Sequence, residues 1–145
     1  MIDDGYVFRL ELPSSFDWVD LAQVLIDRLA ALTGLDEDSV HWVGVAVRES
    51  VINAIKHGNR EDRSKQVTVE FTLTPRQPRA EQLVIRVLDE GAGFDPEVIA
   101  DPLAPENILK SSGRGIFFMR SFMDDVAIER RPEGGMAVRM SKNLP

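Results

Sequence analysis

The stretch Glu49-Ser50-Val51-Ile52-Asn53-Ala54-Ile55-Lys56-His57-Gly58-Asn59 sets an acid, an amide and an imidazole four residues apart inside an apolar helical pattern. Residues at i, i+4 and i+8 stack on one helix face, each step a rise of about 6 Å. A carboxylate one turn from a carboxamide can serve a proton and a hard, oxygen-preferring cation together. The stripe runs into Gly58, so it lies near a helix end, where ligands are often met. The competing reading is a solvated polar face, which nearly every amphipathic helix has. His57 reads as a helix-end residue, since a cationic imidazole is favoured at a helix C-terminus.

Around this stripe the chain divides into short periodic segments. Tyr6 to Leu12 alternates as a strand ended by Pro13. Ser14 and Ser15 are N-cap candidates for a helix in which Trp18, Val19, Leu21, Ala22, Leu25, Leu29 and Leu32 recur, closed by Gly34. Asp36 to Asp38 suit the positive end of a second helix, which carries Val40, Val43, Val47, Val51, Ile52 and Ile55 and ends at Gly58. Gln66–Thr74 and Leu83–Leu88 predict strands, the second delivering Asp89 at its exit. From Phe94 to Ser112 periodicity is lost and three prolines gather, the signature of a functional loop such as a lid. A short helix then opens at Gly113-Arg114-Gly115, and Val126–Arg130 and Met136–Met140 predict two last strands joined at Pro132-Glu133-Gly134-Gly135. The order β-α-α-β-β-lid-α-β-β predicts an α+β fold: a two-layer sandwich, its sheet mixed but mostly antiparallel, with helices on one face.

At 145 residues the chain predicts one domain over 1–145. Seventeen basic against twenty-four acidic residues give a net charge of −7, which argues against direct nucleic-acid binding. The absence of cysteine removes disulfides, thiolate metal sites and a Cys nucleophile. The acidic N-terminus is followed by no apolar run, and no stretch approaches the roughly 20 apolar residues of a membrane span. A soluble, cytoplasmic protein is expected, with no membrane partner.

Two further constellations carry chemistry. In Asp89-Glu90-Gly91-Ala92-Gly93-Phe94, a carboxylate at a strand exit can accept from an amino group in a flat pocket, while the glycines let backbone pass close to a ring. An acidic β-turn is the alternative. The segment matches neither a phosphate-binding Gly-Lys-Ser/Thr loop nor the dinucleotide fingerprint. In Ser111-Ser112-Gly113-Arg114-Gly115, small residues at a helix start offer backbone N–H groups to an anion and Arg114 adds positive charge. A hinge with a capping serine is the alternative. Taken in order, the three constellations describe a Mg²⁺–nucleotide site: helix-borne oxygens for the metal, a strand-end Asp for the base, helix-start amides for the phosphates.

The chain resembles the GHKL-type ATP-binding fold, in particular the small anti-sigma regulatory factors with serine-protein kinase activity. Glu49-x-x-x-Asn53-Ala54-x-x-His57-Gly58 is similar to the family's N box, Asp89-x-Gly91-x-Gly93-Phe94 to its first glycine box, and Gly113-Arg114-Gly115-Ile116-Phe117-Phe118-Met119-Arg120 to its second. Gly134-Gly135-Met136-Ala137-Val138-Arg139 resembles its last hairpin, with Met136 where the family commonly has Thr; a thioether cannot donate a hydrogen bond.

The resemblance implies ATP and Mg²⁺ as cofactors and Glu49 as the catalytic base toward a serine or threonine hydroxyl. It implies Asn53 as the metal ligand and Asp89 as the partner of the adenine amino group. Gly91 and Gly93 would line the base pocket, and Gly113, Arg114 and Gly115 would contact phosphates. It further implies a STAS-type anti-anti-sigma protein as substrate, a sigma factor as second partner, and a homodimer. A nucleotide-binding partner-switching module without kinase activity is the alternative. A histidine-kinase catalytic fragment shares the fold, but His41 and His57 both fall inside the second predicted helix.

Overall fold

The computed structural model describes residues 5–91 and 119–145. Among them are five strands: β1 (Tyr6–Pro13), β2 (Gln66–Thr74), β3 (Gln82–Leu88), β4 (Asp125–Arg130) and β5 (Met136–Asn143). They form one sheet in the order β1-β2-β3-β5-β4. Every pairing is antiparallel, so the sheet expected as mixed but mostly antiparallel is antiparallel throughout among the described strands. β5 rather than β4 pairs with β3, which puts β4 at the edge and leaves the exit of β3 beside the start of β5.

Two helices, α1 (Val19–Ala31) and α2 (Glu37–Asn53), pack on one face of the sheet. The alternation predicted for β2 has the expected effect: Val67, Val69 and Phe71 are fully buried and face Val43, Val47, Val51 and Ile55 across one core. Asp36 caps α2, its Oδ1 accepting from Ser39 N at 2.7 Å. Ser15 caps a 3₁₀ turn, Phe16–Trp18, that precedes α1.

The apolar pattern of α1 is only partly spent on the core. Val19, Ala22, Ile26, Leu29 and Ala30 are buried, whereas Leu21, Leu25 and Leu32, read in the same periodic run, lie exposed with Val24. Helical spacing alone cannot separate two adjacent apolar stripes when only one meets the sheet. The opposite face of the sheet is polar. Glu70 is buried there between its cross-strand neighbours, accepting from Arg9 at 2.8 Å and from Arg86 at 3.1 Å.

Candidate functional site

The helix predicted to run to Gly58 changes geometry before it gets there. After Asn53 the backbone widens into a π turn, Ala54–Gly58, with Asn59 N donating to Ala54 O at 2.8 Å. Single π turns within helices recur at functional sites because the extra residue rotates the downstream chain relative to the helix. Here that rotation lodges Gly58 against Asp89. A Cβ on Gly58 would lie 2.2 Å from Asp89 Oδ2, and one on Gly91 would lie 1.8 Å from Gly58 O. Glycine at 91 is thus required by close approach, whatever is bound nearby.

Asp89 leaves β3 nearly fully buried, at 4% exposure. Its Oδ1 accepts from Gly91 N and from Met136 N, both at 3.0 Å. Its own backbone continues the ladder to β5, with Asp89 N donating to Met136 O at 3.0 Å, and Arg131 Nη1 donates to Asp89 O at 2.6 Å. Gly135, at φ +87°, brings the β4–β5 turn so close that a Cβ would sit 2.1 Å from Asp89 O. Desolvation dominates the carboxyl and pushes its pKa above the ordinary value; the two amides, then Arg131 and Lys65, pull the other way. Both hydrogen bonds fall on Oδ1, which leaves Oδ2 as the oxygen without a bond among the described residues.

Asn59 is the residue that sequence reasoning passed over. It is buried at 1% exposure and joins three segments. Its Oδ1 accepts from Glu90 N at 2.8 Å, and its Nδ2 donates to Ser14 Oγ at 2.8 Å and to Gln66 O at 3.0 Å. Glu90 returns the contact, accepting from Gln66 N at 3.0 Å. The helix end, the start of β2 and the exit of β3 are therefore tied side by side. An Asn after a helix-terminal Gly reads as a cap from sequence, and nothing local signals its long-range partners.

Between α2 and the sheet lies a narrow cavity of about 30 Å³, bounded by Ser50, Asn53 and Ala54 from the helix and by Val87, Asp89, Met136 and Val138 from the strands. Its walls are mostly apolar, with the carboxylate at one side. That volume holds a water or two. Two wall residues, Met119 and Met136, are thioethers, the side chains best able to yield to a flat ring. A slot of this chemistry, with one free carboxylate oxygen, fits the amino edge of a purine.

The structure thus brings Asn53, Asp89 and Gly91 to one place. Glu49 lies half-buried one turn before Asn53 on α2, with no hydrogen bond or ion pair among the described residues. His57 is exposed, and partial desolvation together with Lys56 lowers its pKa below the ordinary imidazole value. Its place in the π turn that closes the helix agrees with the helix-end reading, while the lowered pKa disfavours the cationic form that would serve the terminus. Gly93, Gly113, Arg114 and Gly115, with the expected lid, lie outside the described residues. No group of three or more His, Asp or Glu stands ready for a metal among the described residues. Asn53 could supply one oxygen to Mg²⁺, an ion commonly held by one or two protein ligands together with water and phosphate oxygens. No helix among the described residues is long and apolar enough to cross a membrane.

Comparison with known proteins agrees with this geometry. A serine-protein kinase RsbW of Listeria monocytogenes is 26% identical over 141 residues, spanning 93% of this chain and 85% of that protein. The protein of the same name from Bacillus subtilis is 26% identical over 150 residues, with 99% and 89% covered. Among solved structures, the histidine kinase domain of the blue-light activated histidine kinase EL346 from Erythrobacter litoralis superposes with a TM-score of 0.56 at 15% identity. That match covers 91% of this chain and 61% of the other, and it concerns the fold alone. Residues 12–142, nearly the whole chain, match the model of one family, and the protein belongs to it: the histidine kinase-like ATPase domain.

Proposed function

We propose that this protein is an ATP- and Mg²⁺-dependent serine/threonine protein kinase whose substrate is a STAS-type anti-anti-sigma protein, and that it also sequesters a sigma factor. The observation that carries the reading is the buried Asp89 carboxylate, one oxygen fixed by two amides and the other open, on a cavity shared with Asn53 one helical turn from Glu49. The relatives named serine-protein kinase, matched across 93% and 99% of the chain, support the reaction class. When bound, ATP supplies the transferable phosphoryl group and Mg²⁺ the countercharge.

The chain's own residues then divide the remaining tasks. Asp89 would accept from the adenine amino group, and Gly91 and Gly93 would belong to the base pocket. Asn53 gives its carbonyl oxygen to the metal. Gly113, Arg114 and Gly115 would contact the phosphates, with the Arg114 guanidinium supplying countercharge. Glu49 takes the proton of the substrate hydroxyl as that oxygen attacks the γ-phosphoryl group and ADP leaves. Positioning and charge neutralisation are most of what phosphoryl transfer requires. A cytoplasmic homodimer belongs to the same proposal, and sedimentation measures its stoichiometry.

The deciding experiment incubates the protein with labelled ATP, Mg²⁺ and a cognate STAS-type protein. Transfer by wild type, reduced at least ~10²-fold in Glu49→Ala, is the expected result. Equal transfer by the two proteins refutes the assigned base. A second reading, a nucleotide-binding module without kinase activity, is favoured by Met136. Its side chain contributes a thioether to the cavity wall, and its amide is already taken by Asp89. Micromolar Mg-ATP binding by calorimetry with no transfer to any STAS-type protein supports that module.

A further inference from the structure

The cavity contains a second polar group that the assignments above leave idle. Ser50 sits on the helix wall of the cavity, on the same face of α2 as Asn53 and Ala54, and is 1% exposed. Its Oγ is the buried side-chain polar atom without a hydrogen-bond partner among the described residues. A serine within a helix commonly satisfies its hydroxyl by bonding back to the carbonyl one turn earlier. Ser50 does not, and an unpaired buried hydroxyl costs stability that alanine at the same place would not cost. Of the other side chains lining the cavity, Asn53 and Asp89 make no bond to it, and the rest are apolar and offer a hydroxyl nothing beyond weak thioether acceptance.

From this placement we infer that Ser50 is a base-reading residue: its hydroxyl donates, directly or through one water, to a purine ring nitrogen flanking the amino group that Asp89 accepts from. The inference rests on the nucleotide reading of the cavity and adds to it. A carboxylate oxygen and a hydroxyl on one cavity form an acceptor–donor pair, and the edge of adenine offers the reverse pair, an amino donor beside a ring-nitrogen acceptor. The cavity has room for the single water that an indirect contact needs. With Met136 bringing no donor to the opposite wall, Ser50 Oγ is the hydroxyl available for this role among the side chains lining the cavity.

The test uses the full chain and four measurements: the melting temperature of Ser50→Ala, and its affinity for ADP, 1-deaza-ADP and 7-deaza-ADP beside wild type. The expected melting temperature of Ser50→Ala without nucleotide equals or exceeds that of wild type. A fall shows that the hydroxyl has a structural partner and overturns the inference. The affinity of Ser50→Ala for ADP is expected to drop roughly 3- to 10-fold, the worth of one net hydrogen bond. For one deaza analogue, the one lacking the contacted nitrogen, wild type and variant should bind alike, while the other analogue keeps the difference. Unchanged ADP affinity, or the same drop with all three nucleotides, overturns the role of Ser50 and leaves nucleotide binding standing. Failure of wild type to bind ADP overturns the nucleotide reading itself and this inference with it.

Discussion

Replacing Asn59 by alanine tests whether the site is held together by one buried amide. The substitution removes the bond from Glu90 N at 2.8 Å and those to Ser14 Oγ and Gln66 O at 2.8 and 3.0 Å. Ser14 keeps its bond to Lys65 O at 2.6 Å, so its hydroxyl is not orphaned, but Glu90 N and Gln66 O lose a buried partner. At about 1 kcal/mol net for each bond, the loss is about 3 kcal/mol. For a chain of this size that lowers the melting temperature by roughly 12 °C. Because Asn59 spaces Asp89–Glu90 from the helix end, ADP affinity should fall in the same variant, although Asn59 is not among the residues lining the cavity. Asn59→Asp is the sharper control. It keeps an acceptor for Glu90 N, loses both donated bonds and buries a charge, so it should not rescue either property. Thermal unfolding followed by circular dichroism and calorimetric ADP titration read the two effects. An Asn59→Ala protein melting within about 2 °C of wild type, the range of an ordinary surface change, refutes the reasoning.

Asp89→Asn separates recognition from folding. The amide oxygen can still accept from Gly91 N and Met136 N, so the fold should persist while ADP binding is lost, because an Nδ2 donor then faces the adenine amino group. The raised carboxyl pKa sets the pH dependence: the folded protein holds this proton above the ordinary value of 3.8, so stability falls as pH rises from there through the folded pKa. Asp89→Asn removes that part of the profile, and neutral-pH melting should be equal to or above wild type; a melting temperature clearly below it contradicts the desolvation argument. Gly91→Ala forces a Cβ to within 1.8 Å of Gly58 O and should cost roughly 3 kcal/mol, together with ADP binding. Normal melting and binding in that variant show that the two loops separate easily.

The strands and helices were legible in the sequence because each carries its own period. Val67, Val69 and Phe71 alternate on β2, and Val43, Val47 and Val51 recur every four residues on α2, so each announces the face it buries. Asp89 could be picked out because glycines come after it at the exit of an apolar strand. What could not be read depends on partners distant in the chain. Asn59 is 45 residues from Ser14 and 31 from Glu90, and no local pattern encodes either contact. The π turn at Ala54–Gly58 is equally silent, since its residues suit an ordinary helix and only docking against Asp89 selects the wider geometry. The outward apolar residues of α1 misled for the opposite reason: their period is helical, but the sheet offers only one face to meet it.

The two ends of the site are built differently, and the difference predicts how each fails. Around Asp89 the backbone amides of Gly91 and Met136, the Arg131 guanidinium and the Asn59 bridge fix the carboxylate before any ligand arrives. Such preorganisation lowers the ordering cost of binding, and it couples affinity to stability because the same bonds serve both. Glu49 has no comparable support: half-buried on α2, it makes no hydrogen bond or ion pair among the described residues. A general base without an orienting partner must be positioned by what it acts on, so its geometry is completed only in the substrate complex. Changes to the groups that hold Asp89 in place, Asn59 and Gly91, should therefore move melting temperature and ADP affinity together, while Asp89→Asn, which keeps those bonds, lowers affinity alone. Changes at Glu49 should leave both near wild type and reduce phosphotransfer alone. A Glu49→Gln variant that lost ADP affinity in step with transfer would place Glu49 in the binding framework and remove the distinction.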